Sequence, residues 1–440
     1  MGVEETVLSR LLPTADEETS LNDSSSDLIS KLSSDQEASG IGMRPRLVGS
    51  VAKGTYLRDP DLDVFLVFPK GTSFDIMTST CERLGKAYLD SLERRFADHP
   101  YVHGVYQGYE VDLVPCYHME RGERVLSAVD RTPLHTDHIA ENISTEQRNE
   151  ARLLKAFMKG IGVYGADSRS RGFSGYLTEL LILHYGDFLS VLEAATAWRQ
   201  GEIVLTVSNG NDSVDNLIIN DPVDPHRNVA SAVHIDSLSV FIHAAKEYLI
   251  HPDERFYFPR QRAALSVEKA SESISFRGTR LLCAITPDGG LSDDNLHSQA
   301  HKALGSMSVL LKRKGFNVLR SKYIHKGSLH FIFELEHDSL PEAELHNGPP
   351  VWVDNASDFL AKWNDAPFGP PFIEEGRWKV FRRRKSQTAA EVLRSDLREA
   401  SLGASLGRNG IKVLDHDGIF DYQMMEIVTH LLDTRMSWEV

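Results

Sequence analysis

The chain has 440 residues, 41% of them hydrophobic, enough for two to four domains with sizeable buried cores. Its 48 basic residues stand against 63 acidic ones, a net charge of −15, so any nucleic-acid footprint has to be local rather than global. No apolar run approaches about 18 residues, which argues against a transmembrane helix; the three cysteines, Cys81, Cys116 and Cys283, make neither a disulfide framework nor a zinc pattern.

The N-terminal stretch MGVEETVLSR lacks an apolar signal core. It fits a myristoylation pattern formally, but Glu4 and Glu5 oppose an anionic membrane; with three widely spaced cysteines, a reducing cytoplasm is the expected location. Leu21, Leu28, Ile29 and Leu32 fall at helical spacing. The polar run Asn22–Asp27 between them suits a cap or turn, so two short helices are expected, closed by Gly40 and Gly42.

Residues 46–51 read as a strand entering a Gly49-Ser50 turn, where glycine lets backbone approach a phosphate and Ser50 adds a hydroxyl donor. An ordinary turn is the competing reading. A strand from Asp61 follows, then a helix over 75–97 and strands near 102–106 and 109–114. These predict a small α+β domain. Alternation puts Asp61 and Asp63 on one side of their strand, and Asp112 joins them if its strand lies alongside. Three carboxylates about 5 Å apart repel by roughly 3 kcal/mol per pair at an effective dielectric near 20. A divalent cation removes that repulsion, and an oxygen-rich site suits Mg²⁺. Such a site prepares a hydroxyl to attack an α-phosphate. The alternative is a set of solvated turn residues; Asp63 resists it, because an apolar strand follows and a carboxylate there needs a partner.

Residues 132–256 read as mainly helical. Ser144 and Gln147 form a capping-box pattern, and Leu154, Phe157, Met158 and Ile161 make an apolar face beside a stripe of Arg152, Lys155 and Lys159 that reads by itself as solvated. Ser174 caps a further helix with Leu177, Leu180, Leu181, Tyr185 and Phe188 on its core face; Glu179 has no derivable role. Asp221–Ala230 reads as a loop, in which Arg227 pairs with Asp224 or lies against the next helix. Beyond residue 257, strands at 280–286, 316–323, 328–335 and 378–382 and helices at 293–314 and 354–363 give a β-α-β-β-α-β order, which suggests a ferredoxin-like unit. Basic clusters at Arg169 with Arg171, Lys312–Lys314 and Arg382–Lys385 are candidate local footprints or solvated surface.

Gly49-Ser50, the Asp61-x-Asp63 pair and the distant Asp112 resemble the polymerase β-like nucleotidyltransferase superfamily. Arg131–His135, Arg152–Lys155, Gly162–Gly165, Arg171–Tyr176 and Asp221–Ala230, in that order, resemble the archaeal, class I CCA-adding enzymes, clearly over about residues 45–235 and more loosely through Arg320-Ser321 and Pro371–Trp378. The resemblance implies template-independent addition of C, C and A to tRNA 3′ ends from CTP and ATP. Asp61, Asp63 and Asp112 would hold two Mg²⁺ ions, and Ser50, His135, Lys155 and Tyr164 the triphosphate. Lys53 stands where the family often has arginine, and Asp61 where some members have glutamate. Arg227 matches an arginine that helps select the incoming base. The implied architecture is a catalytic domain over 1–131, a helical central domain over 132–256 and a tRNA-binding region over 257–440. A poly(A) or oligoadenylate polymerase, or an inactive RNA-binding protein, are the rival readings, and the oligomeric state stays open.

Overall fold

The computed structural model describes residues 2–96, 100–123, 127–205, 215–403, 405–406, 410–421 and 424–440. They form two compact units, Met1–Arg262 with Arg435–Val440, and Ala263–Thr434.

In the first unit, helices α1 (Val3–Leu11), α2 (Ala15–Ser34) and α3 (Gln36–Gly40) lead into strand β1 (Arg44–Leu47). A Thr14/Glu17 capping box starts α2, which then runs unbroken through the polar segment expected to divide it. The reason is tertiary. Leu21, Leu28 and Leu32 are buried, Ser24 donates to Gln107 at 2.8 Å, and Asp27 accepts from Tyr106 at 2.5 Å and Lys31 at 2.9 Å. Side chains occupied in this way do not compete with the helix backbone.

Next come α4 (Gly49–Lys53), β2 (Leu62–Phe68), α5 (Phe74–Tyr88), β3 (Asp90–Phe96), β4 (Pro100–Tyr106) and β5 (Tyr109–Tyr117). They build a five-stranded sheet of order β1-β2-β5-β4-β3, with β2 and β5 parallel. Leu62, Val64, Leu66 and Phe68 face a core shared with Leu28 of α2 and Met77, Cys81 and Leu84 of α5. Asp63 therefore points to the opposite face, as alternation requires. The helix expected over 75–97 ends at Tyr88, and residues 90–96 form an edge strand on β4. Their charged, helix-tolerant composition gives way to pairing, with Ser91 at φ 53° and a register shift before Glu93 marking the switch. Ala97 lies outside the described residues.

The rest of this unit is α6 (Thr132–Asn142), α7 (Thr145–Gly160), α8 (Gly175–Tyr185), α9 (Phe188–Ala195), β6 (Glu202–Leu205), β7 (Leu217–Ile219) and α10 (Ile235–Ile250). The Ser144/Gln147 box opens α7, and Ser174 caps α8 by accepting from the Leu177 amide at 3.1 Å. Phe188 opens α9 rather than closing α8, because Gly186 at φ 100° and the Asp187 cap separate the two. Phe157 centres the helical core, with the rings of Phe188, Tyr248, Phe256 and Tyr257 between 5.4 and 5.7 Å away. Arg152 and Lys155 are buried, so the basic stripe on α7 is not a solvated one; Lys159 alone of the three is exposed.

The second unit contains α11 (Val267–Arg277), β8 (Arg280–Thr286), α12 (Asp293–Arg313), β9 (Val318–His325), β10 (Leu329–Leu335), β11 (Ala343–Pro350), α13 (Ala356–Trp363), β12 (Phe372–Glu374), β13 (Arg377–Arg383), α14 (Ala389–Ser395), β14 (Lys412–Leu414), α15 (His416–Asp421) and α16 (Met425–Leu432). One antiparallel sheet has order β14-β8-β10-β9. The strand expected to complete it, at 378–382, lies instead in a separate sheet of order β11-β13-β12, with α13 against β11. The two basic clusters expected in this unit are largely paired. Arg313 and Lys314 meet Glu399, Lys314 and Lys385 share the buried Asp396, Arg382 and Arg384 meet Glu344, and Arg383 meets Glu342. Among the described residues, no helix is long and apolar enough to cross a membrane.

Candidate active site

A cavity of about 240 Å³ opens beside β2, lined by Ser50, Thr55, Asp61, Asp63, Lys155, Lys159 and Tyr164 among others. It gathers Ser50, Asp61, Asp63, Lys155 and Tyr164, which the sequence singled out as candidates, with Lys155 carried by α7 and Tyr164 by the segment after it. The strand β2 supplies Asp63, the segment just before it Asp61, and α4 supplies Ser50. Gly49 makes this arrangement possible. Its φ is +70°, and a Cβ there would sit 1.9 Å from Asp63 Oδ2. The glycine is required both by its conformation and by the carboxylate resting on it.

Asp112 is the register partner of Asp63 on β5, and His103 on β4 is in turn the partner of Asp112. His103 Nδ1 lies 2.7 Å from Asp112 Oδ1. Burial pushes the Asp63 carboxyl up to about 6, and the charges of Asp112 and Asp61 add to the rise. Asp61 is raised too, by burial first and then by Glu110 and Asp112. Among the described residues no three acidic, His or Cys side chains are drawn into one metal-holding cluster. The local chemistry nonetheless suits a cation: the neighbouring negative charges that raise Asp63 and Asp61 are relieved by positive charge.

Behind the cavity lies a charged node that sequence reasoning did not find. Glu179, fully buried on α8, accepts from Lys53 Nζ at 2.5 Å, Thr55 Oγ1 at 2.5 Å and Lys155 Nζ at 2.8 Å. Lys155 also donates to Thr55 Oγ1 at 2.9 Å and the Thr55 carbonyl at 3.1 Å, which occupies its three N–H groups. Burial pushes the Glu179 carboxyl up, but Lys155 and Lys53 more than offset it and hold it at about 2. Burial also works against the Lys155 ammonium, and Glu179 counters this only in part. A lone carboxylate in the apolar run Leu177–Ile182 was the available signal, since such a charge must find a partner. Tyr164 is raised by burial, with Glu179 and Asp63 adding to it, and Lys159 Nζ lies 5.3 Å from its ring centre.

His135 and Arg227 do not line this cavity. They meet at Asp221, which is fully buried: Nε2 of His135 lies 2.7 Å from Oδ2, and Arg227 Nη1 donates to the same oxygen at 3.0 Å. Tyr176 donates to Oδ1 at 3.1 Å and stacks on His135 with ring centres 3.9 Å apart. Arg227 thus pairs with Asp221 rather than with Asp224, which takes Arg131 at 2.9 Å. Burial lowers the His135 pKa, against the pull of Asp221. The three cysteines are free and buried.

Comparison with known proteins adds a second line of observation. Residues 33–135 match the nucleotidyltransferase domain family, residues 149–258 the second domain of tRNA nucleotidyltransferases, and residues 277–415 the C-terminal domain of CCA-adding enzymes. The CCA-adding enzyme of Methanosarcina barkeri is 35% identical over 431 residues, 94% of this chain and 93% of that one. That of Thermoplasma acidophilum is 34% identical over 407 residues, 91% of each chain, and that of Methanothermobacter thermautotrophicus 37% identical over 398 residues, 88% of this chain and 86% of that one.

Proposed function

The chain belongs to the CCA-adding enzymes, and we propose that the cavity beside β2 is where it adds C, C and A to tRNA 3′ ends from CTP and ATP. The observation that carries this is the convergence of Ser50, Asp61, Asp63, Lys155 and Tyr164 on one cavity, with Asp112 in register beside Asp63. Ser50, Asp61 and Asp63 fall within the residues that match the nucleotidyltransferase domain family, and Lys155 and Tyr164 within those that match the second domain of tRNA nucleotidyltransferases, which supports this reading. Asp61, Asp63 and Asp112 would hold two Mg²⁺ ions, which on binding polarise the α-phosphate and stabilise the departing pyrophosphate. His103 orients Asp112 through one oxygen.

Ser50 and Tyr164 offer hydroxyls to the triphosphate at the cavity wall. Lys53 and Lys155 act from behind it: two ammoniums against the single carboxylate of Glu179 leave one net positive charge fixed next to the phosphates. His135 completes the nucleotide contacts, and Arg227 reads the base. Residues 1–131 serve as the catalytic domain, 132–256 as the helical domain and 257–440 as the tRNA-gripping region. The order β14-β8-β10-β9, built from β8, α12, β9, β10, α14 and β14, supports a ferredoxin-like unit in that region, with β11 to β13 inserted. A cytoplasmic location suits this substrate.

The test is incubation with tRNA lacking CCA, CTP, ATP and Mg²⁺. Addition of C, C and A that then stops, and is lost on Asp63→Ala, supports the assignment; full activity in that variant contradicts it.

A further inference from the structure

We infer that Asp221 is a specificity-determining positioning residue, which fixes the guanidinium of Arg227 so that only bases with a ring-nitrogen acceptor are taken. This rests on the reading of Arg227 as the base reader. Both carboxylate oxygens of Asp221 are fully engaged. Oδ2 takes His135 Nε2 at 2.7 Å and Arg227 Nη1 at 3.0 Å; Oδ1 takes the Tyr176 hydroxyl at 3.1 Å and the Val223 amide at 3.0 Å. The groups come from α6, α8 and the loop itself, so the carboxylate cannot turn without breaking several bonds at once.

The backbone around Arg227 is tied down as firmly. Its amide donates to the Asp224 carbonyl at 2.9 Å, and its carbonyl accepts from the Asp221 amide at 3.0 Å. The next residue, Asn228, accepts from the Ile219 and Ala230 amides at 2.9 Å each and donates to the Leu217 carbonyl at 2.8 Å. A guanidinium is planar, so anchoring one of its nitrogens from a fixed backbone narrows the directions open to the rest. The Arg227 side chain still keeps 36% of its surface exposed, which leaves it within reach of a ligand.

The consequence for base choice follows from elementary chemistry. Guanidinium donates and never accepts. The pairing-edge ring nitrogen is an acceptor in cytosine and adenine, but carries a hydrogen in uracil and guanine. A donor held in place meets a lone pair in the first two and another N–H in the second two. A donor free to swing would avoid the clash and lose the distinction. Sites built to satisfy a fixed hydrogen bond reject the mismatched partner far more strongly than shape alone does. Asp221 supplies the fixing.

The experiment compares kcat/KM for UTP and CTP at the first added position of tRNA lacking CCA, in wild type, Asp221→Asn, Arg227→Ala and the double variant. Asp221→Asn should raise the UTP-to-CTP ratio about tenfold, and add less than about twofold in the Arg227→Ala background, the signature of two residues acting as one unit. Equal losses for both nucleotides, with the ratio unchanged, overturn the proposal by making Asp221 merely structural. If Arg227→Ala raises the ratio and Asp221→Asn does not, only the role of Asp221 is overturned; if Arg227→Ala leaves it unchanged, base reading by Arg227 fails and this inference falls with it. Should Asp221→Asn not fold, Tyr176→Phe carries the test. It removes one of the bonds that hold the Asp221 carboxylate and leaves Arg227 intact, so it should raise the ratio, and an unchanged ratio again overturns the proposal.

Discussion

Lys155 and Glu179 form an ion pair at 2.8 Å with side-chain exposures of 4% and 0%, so neither charge can be exchanged for water. A pair of this kind is destabilising to break, because the survivor stays buried with fewer partners to offset its charge. Lys155→Ala leaves Glu179 with Lys53 and Thr55, and should cost on the order of 3 kcal/mol of folding stability as well as weakening nucleotide use. Lys159→Ala, four residues along the same helix but exposed, should stay within about 0.5 kcal/mol of wild type. Urea unfolding of both variants checks this; equal stabilities would contradict it.

The raised carboxyl of Asp63 gives a second expectation. Its ordinary value of 3.8 is pushed to about 6 in the folded chain. A carboxyl raised by folding favours the native state below its unfolded value, and that contribution is lost as pH rises through 6. Asp63→Asn cannot ionise, so in chelator at pH 8 it should be more stable than wild type, by up to about 3 kcal/mol at 1.36 kcal/mol per unit. The gap should shrink towards pH 5. Nucleotide addition should be abolished throughout. A variant less stable than wild type at pH 8 would contradict the desolvation argument.

Gly49→Ala should uncouple activity from stability. The conformational strain at φ +70° costs about 1–2 kcal/mol. The added methyl must also displace Asp63 Oδ2, which would lie 1.9 Å away. Turnover should therefore fall far more than a melting curve suggests, whereas Gly71→Ala, also at positive φ but with open space around it, should leave turnover unchanged. Equal turnover in the two variants would contradict the role given to Gly49.

Much of this was readable in the sequence. Alternation around Asp63 and the Ser144/Gln147 box could be placed because local rules decide them. What could not be read depended on partners distant in the chain. The polar run Asn22–Asp27 is helical because Gln107 and Tyr106 receive its side chains. Lys155 stands in a stripe that reads as solvated, and is buried because Glu179 and Thr55 meet it. The completing strand of the antiparallel sheet is β14, short and far along the chain, whereas β13 has the stronger strand pattern and forms another sheet.

The pairing of the Arg382–Arg384 cluster also revises where positive charge is available. Glu342 and Glu344 hold these arginines. Changing both glutamates to glutamine should release the guanidiniums, strengthen tRNA binding and steepen its dependence on salt. Unchanged affinity and slope would remove that edge of β13 from the tRNA surface.

The central claim is that one site adds all three nucleotides. C addition and A addition are the same attack of a 3′ hydroxyl on an α-phosphate, and the cavity beside β2 is the site proposed for both. The most direct measurement uses Asp112→Ala with labelled CTP on tRNA lacking CCA, and with labelled ATP on tRNA ending in CC. Both additions should be lost together while tRNA binding persists, because phosphate contacts by basic residues are untouched. A variant that still adds A at a near-normal rate while failing to add C would contradict the single-site account.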